Sequence, residues 1–456
     1  MSLRAKWAHF TAKSASRLMR LFGKRGSQLP GAIALQVDPQ FIQQVAKPTH
    51  CISISGTNGK TTTSNLIQDV LQKLDVPYLH NNNGSNTKPG IASSLVNQVR
   101  LDGKCPPYAV LEEDELWLRR IFPEYPPTTL TVTNLYQDSI DRNATVQFVF
   151  SRINEALPET TKLILNASDP ISSQLGEGRC KERIFYTVHP LPHETQSEKS
   201  LIQDVPYCPQ CGHTLEWDFR RYHHIGEYHC PSCGLTNPQP TYAVVDCSEA
   251  EHDLTILDHG ETFHLPMVQS AVENIYNTIA AYTTLRENGF SPAQLLPAFR
   301  QIKLTQTRFE ELHVGKKRIV NIVSKGNNPI ATSRVFANIS ATPGKKSVLY
   351  ITDSAGEALP DTCPGWIYMV DYANLFGVDR LYLMTKYAFG MRFAAILAGW
   401  DADKIHVVHR PEEILSSLSP EESESLFILH DIEDHSQDSA KQLITLIQEK
   451  EEACAH

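Results

Sequence analysis

Long apolar runs are missing from this chain: none reaches the ~18 residues that a membrane-spanning helix needs. Excess positive charge is missing too. The 42 Lys and Arg against 51 Asp and Glu leave a net charge of −9, which removes any general pull on nucleic acid. Cysteine is sparse, with 10 in 456 residues, too thin for a disulfide framework in a chain this long. No internal repeat and no long low-complexity linker interrupts it. The first 26 residues also lack the uninterrupted apolar core of a signal peptide. They carry Arg4, Lys6, Lys13, Arg17, Arg20, Lys24 and Arg25 between apolar positions. Read as a helix, this stretch sets Phe10, Leu18, Met19, Leu21 and Phe22 among cations. It can rest on anionic lipid or pack on its own domain with a solvated basic face; the second placement is the plainer and is preferred.

What is present is an α/β rhythm. A length of 456 residues exceeds one ordinary core and implies two to three domains. Residues 27–50, with Pro30, Gly31, Pro39 and Pro48, read as a lead-in. His50–Ser55 is a short β-type run that enters a glycine loop, and 61–74 follows with helical spacing through Leu66, Ile67, Val70, Leu71 and Leu74. Strand, glycine loop and helix in that order begin a βαβ unit. Further strands are expected at 108–111, 129–132, 162–165 and 241–245, and a helix at 270–288. Past residue 308 a second α/β set is expected, with strands at 318–323, 347–351, 366–370, 380–384, 404–408 and 425–429.

The loop Gly56-Thr57-Asn58-Gly59-Lys60-Thr61 carries the chemistry of phosphate binding. Gly56 and Gly59 let backbone N–H groups approach phosphate oxygens. Lys60 supplies charge to β- and γ-phosphates, the Thr61 hydroxyl can ligate Mg²⁺, and the following helix aims its N-terminus at the same anion. The strict pattern asks for glycine where Ile54 stands; the strand–loop–helix context decides against a plain glycine turn with a surface lysine. Nucleotide use, with ATP as the nucleotide, follows.

Between about 197 and 240 the rhythm stops. Cys208-Pro-Gln-Cys211-Gly and Cys230-Pro-Ser-Cys233-Gly are near-identical knuckles with 18 residues between them, the spacing of a closed four-thiolate Zn²⁺ site. Such a site is structural. His213, His223, His224 and His229 lie nearby, but a fifth ligand is not needed.

Several segments together resemble the Mur ligases, the ATP-dependent amide-forming enzymes of peptidoglycan and folate metabolism. They are the loop Gly56 to Thr62, Asn86 to Ile91, the run Glu112-Glu113-Asp114-Glu115 (similar to a Glu-x-Asp-Glu box), Asn134 to Arg142, and Asn166 to Pro170. Asn274 and Asn277 fall in a segment like the family's adenine-contacting helix. The resemblance implies nucleotide binding by Gly56, Thr57, Asn58, Gly59, Lys60, Thr61, Thr62, Asn274, Asn277 and Arg308. It implies Mg²⁺ held by Thr61 with Glu112 or Glu115, Glu112 being a catalytic candidate as well.

A Mur ligase interrupted by a zinc ribbon resembles one branch of that family, the synthetase subunits of lipid II isoglutaminyl synthase. Residues 1–305 then form the ATP-binding domain with a parallel sheet and a ribbon insert at 203–238, and 306–456 a second α/β domain entered through Thr307-Arg308-Phe309-Glu310. Asn327-Asn328-Pro329 and Trp366-Ile367-Tyr368 resemble segments of that second domain. The branch implies amidation of the D-glutamate α-carboxylate of lipid II through an acyl phosphate. Ammonia would come from a separate GatD-like glutaminase subunit in a heterodimer. The expected place is the cytoplasm, with lipid II met at the inner face of the membrane. The branch lends its partner an aspartate at the position held here by Met369, so Asp361 and Asp371 become the candidates. Asn327, Gly390, Ala394 and Gln137-Asp138-Ser139 also depart from the branch pattern. A stand-alone amino-acid ligase and a nucleotide-binding scaffold without catalysis are the competing readings.

Overall fold

The computed structural model describes residues 1–21, 28–81, 85–137, 145–192, 194, 201–302, 309–324, 328–352, 364–415, 425–431 and 433–454. It divides into two compact units, one built from 1–136, 145–199 and 203–303, the other from 137–144, 200–202 and 304–456.

The first unit is organised by a nine-stranded sheet. Its strands are β1 (His50–Ser55), β2 (Tyr78–His80), β3 (Tyr108–Glu112), β4 (Thr129–Val132), β5 (Lys162–Asn166) and β6 (Arg183–Val188). A separate hairpin, β7 (Glu216–Tyr222) and β8 (Ile225–His229), comes next in the chain, and the sheet resumes with β9 (Tyr242–Ser248), β10 (Asp253–Asp258) and β11 (Glu261–Pro266). The sheet order is β11-β10-β9-β6-β5-β4-β1-β3-β2. The strands from β2 to β9 run parallel, and β10 and β11 add antiparallel. Residues Cys51 to Ser55 of β1 are all buried, as a parallel strand covered on both faces requires.

Helix α1 (Leu3–Leu21) and α2 (Leu29–Val37) stand at the start of the chain. The lead-in expected before β1 thus contains a helix, started by Pro30, whose fixed φ and missing N–H suit a first turn. α3 (Lys60–Lys73) follows the glycine loop and α4 (Lys88–Gln98) follows β2. α1 packs through its smallest residues: Ala5, Ala8 and Ala12 are fully buried, the His9 ring lies 2.9 Å from the Val96 carbonyl, and the Ser16 hydroxyl donates to Asn97 at 2.9 Å. The preferred placement of α1 on its own unit is what the structure shows. Its large apolar residues, however, point outward.

The second unit holds β12 (Phe309–Val314), β13 (Lys317–Val323), β14 (Lys346–Ile351), β15 (Arg380–Met384), β16 (Ile405–Val407) and β17 (Ser425–His430), in the order β12-β13-β17-β14-β15-β16. Only β12 is antiparallel to its neighbour. The strand expected at 366–370 is instead a 3₁₀ turn, Gly365–Met369. Trp366 and Ile367, adjacent in sequence, are both buried in the same core as Phe336 and Tyr372, which the side-to-side alternation of a strand does not allow. No described helix is long and apolar enough to cross a membrane.

Candidate functional site around the glycine loop

The loop grows from the carboxyl end of β1, which lies between β4 and β3 in the sheet. Gly56 has φ of 124° and Gly59 of 87°, values that L side chains rarely adopt. Space is as restrictive as torsion. A Cβ at Gly59 would lie 2.1 Å from Asn277 Oδ1, and one at Gly56 would lie 2.3 Å from Thr133 Oγ1. Gly59 opens α3 without a side-chain cap, so the helix's first N–H groups are available to an anion.

Asn134 clamps the loop. Its Oδ1 accepts from the Asn58 N–H at 3.0 Å, its Nδ2 donates to the Asn58 carbonyl at 3.0 Å, and its carbonyl accepts the Thr57 N–H at 2.9 Å. Tyr136 adds a second tie, its N–H donating to Thr57 Oγ1 at 2.9 Å. The Lys60 ammonium is folded back inside the loop. It donates to the Gly56 carbonyl and pairs with Glu115 at 2.9 Å, both side chains being nearly buried. Burial pushes the Glu115 carboxyl up, and Lys60 offsets only part of that. Thr61 is exposed on the first turn of α3, with Thr62 half-buried beside it.

Glu112 ends β3 in register with Ile54 of β1, so Glu112 and Glu115 stand at the sheet edge from which the loop emerges. Hard carboxylate and hydroxyl oxygens are the donor set Mg²⁺ prefers, and Thr61, Glu112 and Glu115 fit it by type. Helix α5 (Val146–Ala156) and α6 (Val272–Glu287) complete this unit's cover. On α6, Asn277 fills the space over Gly59 and accepts from Thr63 at 3.4 Å, while donating to Asn274 at 3.2 Å. The loop and Asn277 are thus brought together. Arg308 and Asp361 lie outside the described residues. Asp371 is described in the second unit. It is buried, its N–H donates to Ser333 Oγ at 2.9 Å, and its Oδ1 accepts from the Leu201 N–H at 2.6 Å.

The four cysteines converge. All four sulfurs lie within 4.8 Å of one another, with Cys208 to Cys233 at 3.6 Å and Cys211 to Cys230 at 3.5 Å. A tetrahedron with Zn–S of about 2.3 Å has edges of about 3.8 Å, so the cluster fits Zn²⁺. Gly212 and Gly234, at φ of 76° and 77°, let their N–H groups turn back onto the carbonyls of Cys208 and Cys230.

Three residues that the sequence reading passed over are built into this site. His224, set aside there as an unneeded ligand, sits at the tip of the β7–β8 hairpin and is buried. Its Nε2 lies 2.9 Å from the Leu135 carbonyl and 3.5 Å from Asp169, while Asp169 accepts the Leu135 N–H at 2.9 Å. The Leu135–Tyr136 segment that ties the loop is therefore held from behind by the ribbon. Burial disfavours both charges, but their mutual interaction outweighs it: His224 is raised and Asp169 lowered. Arg221, also buried, donates to Glu194 at 2.6 Å and to the hydroxyl of Tyr276 on α6 at 2.6 Å. Two aromatic or histidine residues in the tight turn of a hairpin were the available signal. Glu113 gave none. It sits between the two carboxylates singled out, yet it is fully buried, and burial pushes its carboxyl up to about 8, offset in part by the Ser53 hydroxyl.

The comparisons agree with this geometry. Residues 54–206 match the Mur ligase middle domain. Among solved structures, a pseudomurein peptide ligase type C from Methanothermus fervidus shares the fold with a TM-score of 0.69 at 18% identity, over 90% of this chain and 81% of that one. MurF ligase from Thermotoga maritima, in complex with ADP, does so with a TM-score of 0.59 at 14% identity, over 92% and 84%. The fold and loop are those of a Mur ligase, an ATP-dependent ligase. The chain is also 32% identical over 367 residues, 80% of each, to the protein from Staphylococcus aureus (strain COL) named lipid II isoglutaminyl synthase (glutamine-hydrolyzing) subunit MurT. It belongs to the MurT family.

Two predictions follow from the buried charges. With a native pKa of about 8 against an ordinary 4.5, Glu113 is protonated when folded and ionises once unfolded. Its contribution to stability is complete below about pH 4.5 and is lost as pH rises through 8, a decline of about 5 kcal/mol. Urea titrations across that range should show the slope in the wild type and its absence in Glu113→Gln. Replacing His224 by Ala strands Asp169 as a buried charge and should cost about 3–5 kcal/mol. Hydrogen exchange should show faster opening of the Thr57 N–H, with partial recovery in His224→Gln, which keeps a donor.

Proposed function

We propose that this chain is the ATP-using synthetase subunit of an enzyme that amidates lipid II. The α-carboxylate of D-glutamate in the stem peptide attacks the γ-phosphorus of ATP, ADP leaves, and an acyl phosphate remains. Ammonia then attacks the acyl carbon, phosphate departs, the nitrogen loses a proton, and D-isoglutamine results. The observation that carries this reading is the 32% identity over 367 residues to a subunit named for that reaction. It is supported by a glycine loop that packs closely on Thr133 and Asn277 and opens a helix with no side-chain cap, and by a Mur ligase of the same fold that is in complex with ADP.

Each residue then has a task. The N–H groups of Gly59 to Thr62 cradle the phosphates, while those of Thr57 and Asn58 hold the loop on Asn134. Lys60 exchanges Glu115 and loop carbonyls for β- and γ-phosphate oxygens, so its present contacts hold the ammonium in place before the nucleotide arrives. Mg²⁺, bound by Thr61 with Glu112 and Glu115, would screen the approach of carboxylate to phosphate. Glu112, at the sheet edge beside the loop, orients the reacting end. Asn274, Asn277 and Arg308 contact the nucleoside. The four cysteines hold Zn²⁺ and keep the hairpin folded. Residues 1–305 and 306–456 act as the two domains of this machine.

Ammonia comes from a glutaminase subunit of the GatD type. The second unit offers a surface for it. Helix α7 (Pro329–Ala341) is followed by α8 (Ala388–Leu397), which buries Ala388, Met391, Ala394 and Ala395 and exposes Phe389 at 85%, Phe393 at 51% and Leu397 at 68%. Such a stripe of large apolar side chains on one helix face is a docking face, and Asp361 or Asp371 supplies the carboxylate lent to the partner's Cys–His pair.

Lys60→Ala should abolish ADP release measured with lipid II, ammonia and Mg²⁺. Turnover that requires an amino acid in place of ammonia would instead identify a stand-alone ligase, and tight ATP binding without turnover a scaffold. Phe389→Ser/Phe393→Ser should spare ammonia-driven turnover while lowering glutamine-driven turnover at least tenfold, read with the co-expressed glutaminase. Undiminished glutamine use in that variant, and in Asp361→Asn and Asp371→Asn, removes this docking assignment.

A further inference from the structure

Helix α1 is built with its polarity reversed. Its buried face is made of the small residues Ala5, Ala8, Ala12 and Ser16 together with His9. Its outward face carries Leu3, Trp7, Phe10 and Leu18, exposed by 87%, 62%, 51% and 58%. The spacing of 3, 7, 10, 14 and 18, with Ser14 in the middle, is a single helical stripe. On the alanine side, the short side chains let the helix lie close to α2 and α4. Once those contacts are made, no described residue covers the large side chains. Trp7 and Phe10 stack on each other with ring centroids 5.8 Å apart, and both remain open to solvent.

The charge around this stripe has one sign. The helix contains no Asp or Glu, in a chain whose net charge is −9. Lys6, Lys13 and Arg17 run along one flank of the stripe and Arg4 lies on the other. Among the described residues neither Lys13 nor Arg17 is ion-paired; Arg100 pairs with Asp102 at 3.0 Å. Lys13 and Arg17, with Arg100 and Asp102, line a cavity of about 380 Å³ whose apolar wall is Phe10 and Leu101. Like charges crowd there: burial, then Arg17 and Arg100, lower the Lys13 pKa. Uncompensated cations beside exposed aromatic rings are what an anionic, apolar-backed surface satisfies. A second copy of the same face would bring Lys6, Lys13 and Arg17 against their equivalents, so self-association is opposed by charge.

We propose that the outward face of α1 docks on an anionic phospholipid surface. Trp7, Phe10, Leu3 and Leu18 enter the boundary between headgroups and acyl chains, and Lys13 and Arg17 meet lipid phosphates. The helix lies in the plane of the surface, since its alanine face stays attached to the folded unit. The inference rests on α1 alone and does not need the amidation reading, although it would hold the chain beside a lipid-linked acceptor.

The test is co-sedimentation of the full chain with vesicles of phosphatidylcholine alone and of phosphatidylcholine mixed with phosphatidylglycerol. The expected result is binding to the mixed vesicles only, weakened by salt. Lys13→Glu/Arg17→Glu should lower the partition coefficient roughly tenfold or more, and Trp7→Ser/Phe10→Ser should lower it similarly, with unchanged melting temperature in each variant. Tryptophan emission of the wild type should shift to the blue on the mixed vesicles, and that shift should vanish in Trp7→Phe. The emission shift and the charge-reversal variant decide the matter even if the serine variant does not fold. Absence of binding to the mixed vesicles overturns the proposal, as does equal binding by the charge-reversal variant. So does a wild-type oligomer that Trp7→Ser/Phe10→Ser dissolves without any vesicle binding, which would make the face a protein interface.

Discussion

The side chain of Asn134 reads the main chain of Asn58 on both edges, and the shape of the glycine loop depends on that pairing. A loop with two residues in left-handed or extended-positive torsions has many alternatives in isolation. It keeps one because Asn134 and Tyr136 fasten it from the segment that follows β4 and Asn277 closes over Gly59 from α6. None of these three contributes charge. What they contribute is preorganisation: backbone N–H groups fixed before an anion arrives lose little freedom when it binds.

The ligand-facing half of this arrangement was legible in the sequence, because it is local. A strand, two glycines, a lysine and a helix within some 20 residues obey short-range rules, and so do two Cys-x-x-Cys turns. The bracing half was not. Asn134, Asp169 and His224 are far apart in the chain and meet only through the sheet order and the inserted hairpin. Asn134 and Asp169 entered the sequence reading through family resemblance rather than through any visible contact, and His224 was taken as a bystander of the metal site. Glu113 shows the opposite limit. Four acidic residues in a row look solvated, but the third dimension places this one under the sheet edge. In the second unit, Trp366-Ile367-Tyr368 had the composition of a strand, yet packing two neighbouring side chains into one core selected a 3₁₀ turn.

The two faces that remain apolar and exposed, on α1 and on α8, differ in their surroundings. α8 carries aromatic residues with small neighbours behind them and a single cation, Arg392, within the helix. α1 carries aromatic residues among cations and has no acid at all. The same apolar payload therefore suits different company: a protein surface in one case and a charged lipid surface in the other.

The hairpin between the two knuckles has a consequence for ancestry. Its host keeps Glu194 and Asp169 poorly hydrated, and the insertion delivers Arg221 and His224 as their cationic partners. Excising the ribbon would take the cationic partner from each acid. A relative without the four cysteines should therefore carry other residues in place of those two acids.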